Sequence, residues 1–330
     1  MSAVALPTRR RAGTARFAMS RELVLVAVTV GLTLLVGALN RDFLGAQNLR
    51  FMLLNSVVLS LVALGQTLVI AMRGIDLSVA PILGLAAMVC GLLAQTHGIS
   101  LAVALPLALG IGLVLGTING VLVATMDIPP IVVTLGTYSL YSGLTFLYSD
   151  GTQVDSVPPM FASFGNGHLF GVLPVPTPVA VLVVVLALCW YMLRHTGFGR
   201  AVLAVGNNAT AAYAAGLPVT WIRVRVYALS GLLAGFAGLM FLCYTGSATV
   251  TAGTGDHIEL LSIAVSLIGG TAIAGGRGNL IGTVLGSLFL SVVLTALVFL
   301  HVPPIWYSAG EGLLILAAVQ SGFGRRGVKA

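Results

Sequence analysis

Apolar runs of a length that can cross a bilayer recur along almost the whole chain. A helix needs about 20 apolar residues to span the hydrocarbon core. Ten segments have or approach that length: 23–39, 51–72, 77–96, 100–124, 131–149, 178–193, 226–246, 258–275, 279–300 and 305–320. Only 8% of the residues are charged, whereas a soluble protein carries about 25%. The sequence therefore predicts an all-α, polytopic transmembrane bundle of about ten spans.

The placement of charge predicts one orientation for this bundle. Arginine and lysine collect in short cytoplasmic segments. Basic residues precede the first span, follow the last one and occupy the connection 194–225, whereas residues 150–176 contain no Arg or Lys. We therefore expect both termini to be cytoplasmic. The expected organisation is a basic arm (1–22), one transmembrane domain (23–320) with the cytoplasmic loop 194–225, and a cytoplasmic tail (321–330).

Two glycine-containing stretches interrupt the apolar pattern, AMRGIDLSVAP at 71–81 and GGTAIAGGRGN at 269–279. Interrupted helices in transporters expose backbone groups that face a cavity or a partner. A plain loop explains the first stretch about as well as a functional break. Together with polar residues inside the spans, the candidates for helix breaks and a solute path are Gly74, Asp76, Ser78, Asn119, Thr134, Gly269, Gly270, Gly275, Gly276 and Glu311.

The sequence offers no motor of its own. A phosphate-binding P-loop needs a lysine after its glycines, and the single lysine of the chain is Lys329. No residue pattern indicates a catalytic constellation, a metal site or a cofactor, so an enzyme is not expected. Glu311 is a carboxylate inside a predicted span. It is a candidate coupling residue by default, or it hydrogen-bonds a neighbouring helix or extends to the interface.

The loop 194–225 contains the water-tolerant stretch GNNATAAYAAGLPV, residues 206–219. Asn207 or Asn208 can cap a short alanine-rich helix, and Gly216 with Pro218 can end it. Such a helix is too short to be stable alone in water. It must therefore pack against the bundle or against a second protein. A chain without a motor that presents such a helix favours an external motor.

Three blocks carry a resemblance to a known family: ALGQTLVIAMRGIDLSVAPILGL, GTINGVLVATMDIPPIVVTLGTYSLYSGL and IELLSIAVSLIGGTAIAGGRGNLIGTVLG. They resemble the permease subunit of bacterial ABC sugar importers, in the ribose/arabinose/galactose/rhamnose branch that also includes autoinducer-2 import permeases. In that family a GxNxxAAxxxG segment docks onto the ATP-binding subunit. The resemblance assigns that role to Gly206, Asn207, Ala211, Ala212 and Gly216.

The resemblance also implies partners and a location. It implies a separate ABC ATP-binding subunit, an extracytoplasmic solute-binding protein and a second permease copy or paralogue, in the bacterial cytoplasmic (inner) membrane. The chain departs from the family at Thr210, where an acidic residue is frequent, at Arg73 and Ala80, where glycine is common, and at Glu311, where the residue is usually small or apolar.

We therefore expect the permease subunit of an ATP-driven importer for a sugar or sugar-like solute, such as a pentose or deoxyhexose. An autoinducer-2 import permease of the same family is the alternative. Two readings from other classes remain: an ion-coupled secondary carrier that uses Glu311, and a membrane scaffold or sensor without transport activity.

Overall fold

A computed structural model describes residues 20–126, 128–167, 175–307, 309–313, 316 and 320. The described residues form helices and connections, with no β-strand among them. The helices are α1 (Arg21–Leu39), α2 (Ala46–Ala71), α3 (Val79–His97), α4 (Leu101–Thr125), α5 (Pro130–Ser149), α6 (Pro159–Asn166), α7 (Thr177–His195), α8 (Gly197–Asn207), α9 (Ala209–Ala214), α10 (Val219–Thr245), α11 (Ile258–Ile268) and α12 (Leu280–Phe299). Short 3-10 turns occupy Arg41–Leu44 and Pro304–Trp306.

Eight of these helices are long and apolar enough to cross a membrane: α1, α2, α3, α4, α5, α7, α10 and α12. The predicted all-helical, polytopic class is thereby confirmed. Helix α10 begins at Val219, well before the predicted start at 226. The predicted span 305–320 lies partly outside the described residues, and within it residues 307 and 309–313 are helical.

Helices α2, α3 and α10 form the centre of the bundle, and the other spanning helices surround them. Every residue of α2 from Ser56 to Ala71 is buried. By contrast, α1 exposes Leu34, Leu35 and other large apolar side chains. In a bilayer such exposed side chains meet lipid. The buried side chains therefore form the protein core, and the exposed apolar side chains form the surface that faces lipid.

Helices α4 and α10 approach each other backbone to backbone through glycines. A Cβ added at Gly112 would overlap the carbonyl oxygen of Gly231, and one added at Gly231 would overlap the carbonyl oxygen of Gly112. The same Cβ at Gly231 would lie 2.7 Å from the Cα of Gly116. Small residues at such a crossing allow the close packing that holds membrane helices together.

The predicted span 258–275 is wrong in its extent, because α11 contains only 11 residues, Ile258–Ile268. The connection after α10 turns back into the bundle before α11 begins. There the Ala252 carbonyl oxygen lies against Gly84 of α3, and a Cβ at Gly253 would lie 2.9 Å from the carbonyl oxygen of Ala80. Because the chain re-enters the bundle as an irregular segment, only a short helix is needed to complete the passage.

Candidate functional site

Three of the predicted candidates, Asp76, Ser78 and Asn119, meet in one hydrogen-bonded cluster inside the bundle. The Asp76 Oδ1 atom accepts hydrogen bonds from the Ser78 backbone N–H (3.1 Å) and hydroxyl (2.6 Å). The Asp76 Oδ2 atom accepts one from the Ser230 hydroxyl at 3.1 Å. The Asn119 amide donates to Ser78 Oγ at 2.6 Å. The connection between α2 and α3 is thereby tied to α4 and α10.

Two residues of α5 extend this cluster. The Tyr141 hydroxyl lies 3.1 Å from Asn119 Oδ1 and 3.1 Å from the Leu115 carbonyl oxygen. The Thr134 hydroxyl, another predicted candidate, donates to the Ile75 carbonyl oxygen at 3.2 Å. Sequence reasoning missed Tyr141 and Ser230, since a tyrosine or serine within an apolar helix carries no local sign of its partner.

The Gln66 side chain completes the cluster from α2. In the orientation that satisfies both ends of its amide, the nitrogen donates to the Asp76 carbonyl oxygen at 3.1 Å, and the oxygen accepts from the Asp76 N–H at 3.3 Å. Gln66, Asp76, Ser78, Asn119, Thr134 and Ser230 are each 0% exposed. We call these residues with Tyr141 the buried polar cluster. It holds four helices and the α2–α3 connection in register, away from solvent.

The Asp76 carboxyl lies in the connection between two spans and carries the only acidic group of the buried polar cluster. Burial raises the pKa of Asp76, and the hydrogen bonds from Ser78 and Ser230 oppose part of that rise. Those bonds are worth most in a low-dielectric interior, where an unpaired polar group is costly. The chemistry of the cluster is therefore that of a structural junction.

The predicted alanine-rich helix is present as α9, at the end of the bundle where α2 ends and α3 begins. Of the two predicted capping residues, the structure uses Asn208, whose side-chain oxygen accepts from the Ala211 N–H at 3.0 Å. Gly216 follows α9 with a φ of +82°, and the Leu217 N–H donates to the Ala212 carbonyl oxygen at 3.0 Å. Ala212 is buried, whereas Tyr213 is 75% exposed.

Gly206 marks a crossing of three segments at this end of the bundle. A Cβ there would overlap the carbonyl oxygen of Ala71, the last residue of α2, and would lie 2.8 Å from the Gly276 nitrogen. The Gly276 N–H itself donates to the Ala71 oxygen at 2.9 Å. The structure therefore brings the second glycine stretch, 269–279, against both the end of α2 and the start of residues 206–216, which contain α9 and which we call the α9 segment.

Arg73 connects the same three segments. Its Nε donates to the Ala274 carbonyl oxygen at 2.7 Å, and its Nη2 donates to the Asn207 carbonyl oxygen at 2.7 Å. Its φ of +66° lies in the left-handed region, which glycine adopts without strain. This conformation is a physical reason for a glycine at that position. Sequence reasoning recorded Arg73 only as a departure and missed the two hydrogen bonds.

The remaining glycine candidates lie in the same connection, between α11 and α12. Gly269 lies against Gly282 of α12, while Gly270, Gly275 and Gly276 all have positive φ values. Asn279 caps α12 and donates from its amide to Glu22 Oε1 at 2.7 Å and to the Gly269 carbonyl oxygen at 3.0 Å. This connection is thus a fixed, irregular segment that joins α1, α11 and α12.

The structure places Glu311 apart from the buried polar cluster. It borders a cavity of about 310 Å³ together with Asn55, Tyr244, Asp256 and Ser291. The described residues contain no group of three or more His, Cys, Asp or Glu side chains that could hold a metal ion. The polar candidates predicted from the sequence therefore lie in separate places: Asp76, Ser78, Asn119 and Thr134 are in the buried polar cluster, and Glu311 borders its own cavity.

Comparison with known proteins finds a matching family model and several proteins of similar sequence. Residues 48–319 match the family model described as branched-chain amino acid transport system / permease component. The autoinducer 2 import system permease protein LsrC of Escherichia coli (strain HS) is 37% identical over 300 residues, 91% of this chain and 86% of its own length. The ribose import permease protein RbsC of Haemophilus influenzae is 34% identical over 313 residues, 93% and 95% of the two chains. No solved structure matches.

Proposed function

The chain belongs to the family of transport-system permease components matched above, and we propose that it is the membrane subunit of an ATP-driven importer for a sugar-like solute. Its relatives are named for ribose and for autoinducer 2, and their identities to this chain are nearly equal, 34% and 37%. These names support a small polyhydroxylated cargo. An autoinducer-2 permease is as consistent with them as a pentose or deoxyhexose permease.

We propose that ATP is hydrolysed by a separate subunit that docks on the α9 segment. The proposed docking residues are Gly206, Asn207, Ala211, Ala212 and Gly216. The observation that carries this proposal is the attachment of the end of α8, directly before α9, to the bundle: Gly206 packs on the end of α2, and Arg73 donates to the Asn207 carbonyl oxygen. A force applied to α9 therefore reaches the α2–α3 connection directly. The exposed Tyr213 ring supplies apolar contact area for a partner.

The same attachment relates the docking segment to the proposed solute path. The α2–α3 connection contains Gly74, Asp76 and Ser78, and the buried polar cluster links it to α4, α5 and α10. We assign Asp76, Ser78, Asn119 and Thr134 to the transmission of force between the α9 segment and the spanning helices. We assign Gly269, Gly270, Gly275 and Gly276 to the backbone turns that permit this transmission.

A second permease copy or paralogue is proposed to pack on the free face of α5. Thr134 and Tyr141 hold one face of this helix to the core, whereas a Cβ added at Gly136 or Gly143, on another face, would meet no atom of another element within 4 Å. Helices in membranes associate through such small residues. The remaining partner of this importer class is a solute-binding protein. It would deliver the solute on the side of the membrane that is opposite to α9.

The docking proposal is tested by pairing Gly216→Trp with Gly246→Trp. Both glycines follow the end of a helix and have positive φ values of +82° and +71°, and a Cβ added at either would meet no atom within 4 Å beyond its chain neighbours. The two substitutions therefore carry similar backbone strain at different places in the fold. We expect Gly216→Trp, and deletion of residues 207–216, to abolish co-purification of the ATP-binding subunit and stimulation of its ATPase activity. Gly246→Trp should retain both.

Survival of ATPase binding in the Gly216→Trp chain and in the deletion would contradict the docking assignment.

A separate measurement addresses the secondary-carrier alternative. If Glu311→Gln abolished uptake, and uptake in wild-type vesicles required a proton gradient but no ATP, the importer proposal would be wrong. We expect uptake to require ATP and the ATP-binding subunit.

A further inference from the structure

A cavity of about 410 Å³ opens at the α9 end of the bundle, between α4, α5, α10 and the α2–α3 connection. Arg73 and Arg223 line it from two different segments, and Tyr227 lines it from α10. Val205 of α8 and Ala209 of α9 form part of its wall. None of the roles assigned above uses this cavity.

The two arginines bring positive charge to this cavity. Neither Arg73 nor Arg223 has an Asp or Glu oxygen of the described residues within 4.0 Å of its guanidinium nitrogens. Arg73 uses Nε and Nη2 for the Ala274 and Asn207 carbonyl oxygens, both uncharged acceptors. Two guanidinium groups with no described carboxylate partner favour a negatively charged occupant.

Tyr227 provides an independent indication of a ligand. The residue is 2% exposed, and its hydroxyl has no hydrogen-bond partner among the described residues. The hydroxyl lies beside Gly74, since a Cβ added there would be 2.7 Å from Tyr227 Oη. Buried polar groups are normally paired, and an unpaired one in a cavity wall indicates a missing partner. A phenol can donate one hydrogen bond, which an oxyanion would accept.

We propose that this cavity binds a phosphate ester, with its oxyanion between Arg223, Arg73 and the Tyr227 hydroxyl. A guanidinium group presents only donors, and the phenol can donate one hydrogen bond as well, so all three groups can donate to phosphate oxygens. Val123, Ile128 and Pro130 supply an apolar wall for the carbon part of the ester. The same chemistry is found in the headgroup of an anionic phospholipid and in a soluble phosphate monoester.

The position of the cavity allows a bound ligand to influence the conformation of α9. Arg73 already holds the Asn207 carbonyl oxygen, and Ala209 borders the cavity. A phosphate bound by Arg73 and Arg223 joins the α2–α3 connection to α10 beside the segment proposed for docking. Occupancy of the cavity therefore stabilises the conformation of α9 relative to the bundle.

The test uses the purified full-length chain and has two arms. In the first arm, calorimetry in detergent measures binding of glycerol 3-phosphate, with uncharged glycerol as the matched ligand control. In the second arm, native mass spectrometry measures retention of phosphatidylglycerol over phosphatidylcholine after extraction from nanodiscs. Neither arm needs a partner subunit or transport, so failure here is distinct from failure of the importer proposal.

Three variants decide whether the cavity is responsible. Arg223→Gln should weaken binding at least about tenfold, and Tyr227→Phe about tenfold, as expected for lost hydrogen bonds to a charged group. Arg225→Gln should bind as the wild type does, because Arg225 lies on the same helix, is exposed and does not line the cavity. Tyr227→Phe removes a hydroxyl without a partner in the described structure, so it is informative even if Arg223→Gln does not fold.

Binding of glycerol 3-phosphate with this variant pattern identifies a soluble ester as the ligand. Selective retention of phosphatidylglycerol with the same pattern, and no binding of glycerol 3-phosphate, identifies a lipid headgroup. Absence of binding in both arms overturns the proposal. An equal loss of binding in Arg225→Gln also overturns it, since the attraction would then be a general effect of surface charge.

Discussion

Substituting alanine for Gly206 tests whether the crossing at the α9 end depends on the absence of a side chain. The added methyl would overlap the Ala71 carbonyl oxygen, so α8 must move away from α2. Overpacking of this kind costs about 1–3 kcal/mol. The methyl would also lie 2.8 Å from the Gly276 nitrogen, so it crowds the hydrogen bond from the Gly276 N–H to the Ala71 oxygen, which contributes about 1 kcal/mol. We expect a loss of about 3 kcal/mol in the free energy of unfolding.

Gly197→Ala in the same helix is the matched control. The nearest atom to a Cβ at Gly197 is Arg200 Nη2 at 3.9 Å, so the methyl fits without movement. Thermal unfolding in detergent can be monitored by size-exclusion chromatography of heated samples. The melting temperature of Gly206→Ala should be lower than that of the wild type by on the order of 5 °C. The Gly197→Ala chain should melt at or slightly above the wild-type temperature, because alanine favours the helix. Equal melting temperatures for Gly206→Ala and wild type would refute the crossing as described.

Further predictions concern Arg73 and the buried polar cluster. Arg73→Gly should be less destabilising than Arg73→Ala by about 1 kcal/mol, because only glycine adopts a φ of +66° without strain; equal melting temperatures would argue against that conformation. Asp76→Ala should lower the free energy of unfolding by about 3 kcal/mol, since two buried serine hydroxyls and a backbone N–H lose their acceptor. Tyr141→Phe should lower it by about 1 kcal/mol, and a larger loss for Tyr141→Phe than for Asp76→Ala would contradict the arrangement of the cluster.

The sequence predicted the spanning helices well because hydropathy and length are local properties. The cap of α9 was also predictable, since the side-chain oxygen of an Asn before an alanine run can accept a hydrogen bond from a free N–H group in the first turn of the helix. The choice between Asn207 and Asn208 was not, because it depends on where the preceding helix ends. Helix α8 was missed because Gly197, Gly199 and Gly206 lower its helix propensity, and packing against neighbouring segments compensates for them.

The extent of α11 was mispredicted for a related reason. An apolar run of 18 residues predicts a span, but hydropathy does not register that the preceding segment has already returned into the bundle. That return depends on Gly84 and Gly253, each in contact with a residue more than 150 positions away. Similarly, Asp76, Ser78, Asn119 and Thr134 were chosen one by one as polar residues in or near breaks and spans. Their assembly into one cluster is a property of the tertiary structure.

The glycine crossing of α4 and α10 limits how this protein can move. Two backbones separated by less than the thickness of a methyl group cannot slide along each other without a collision between carbonyl and Cα atoms. Any cycle of opening and closing must therefore carry these two helices together as one rigid body. The displacement falls instead on elements attached by side chains, with the peripheral helix α1 the first of them.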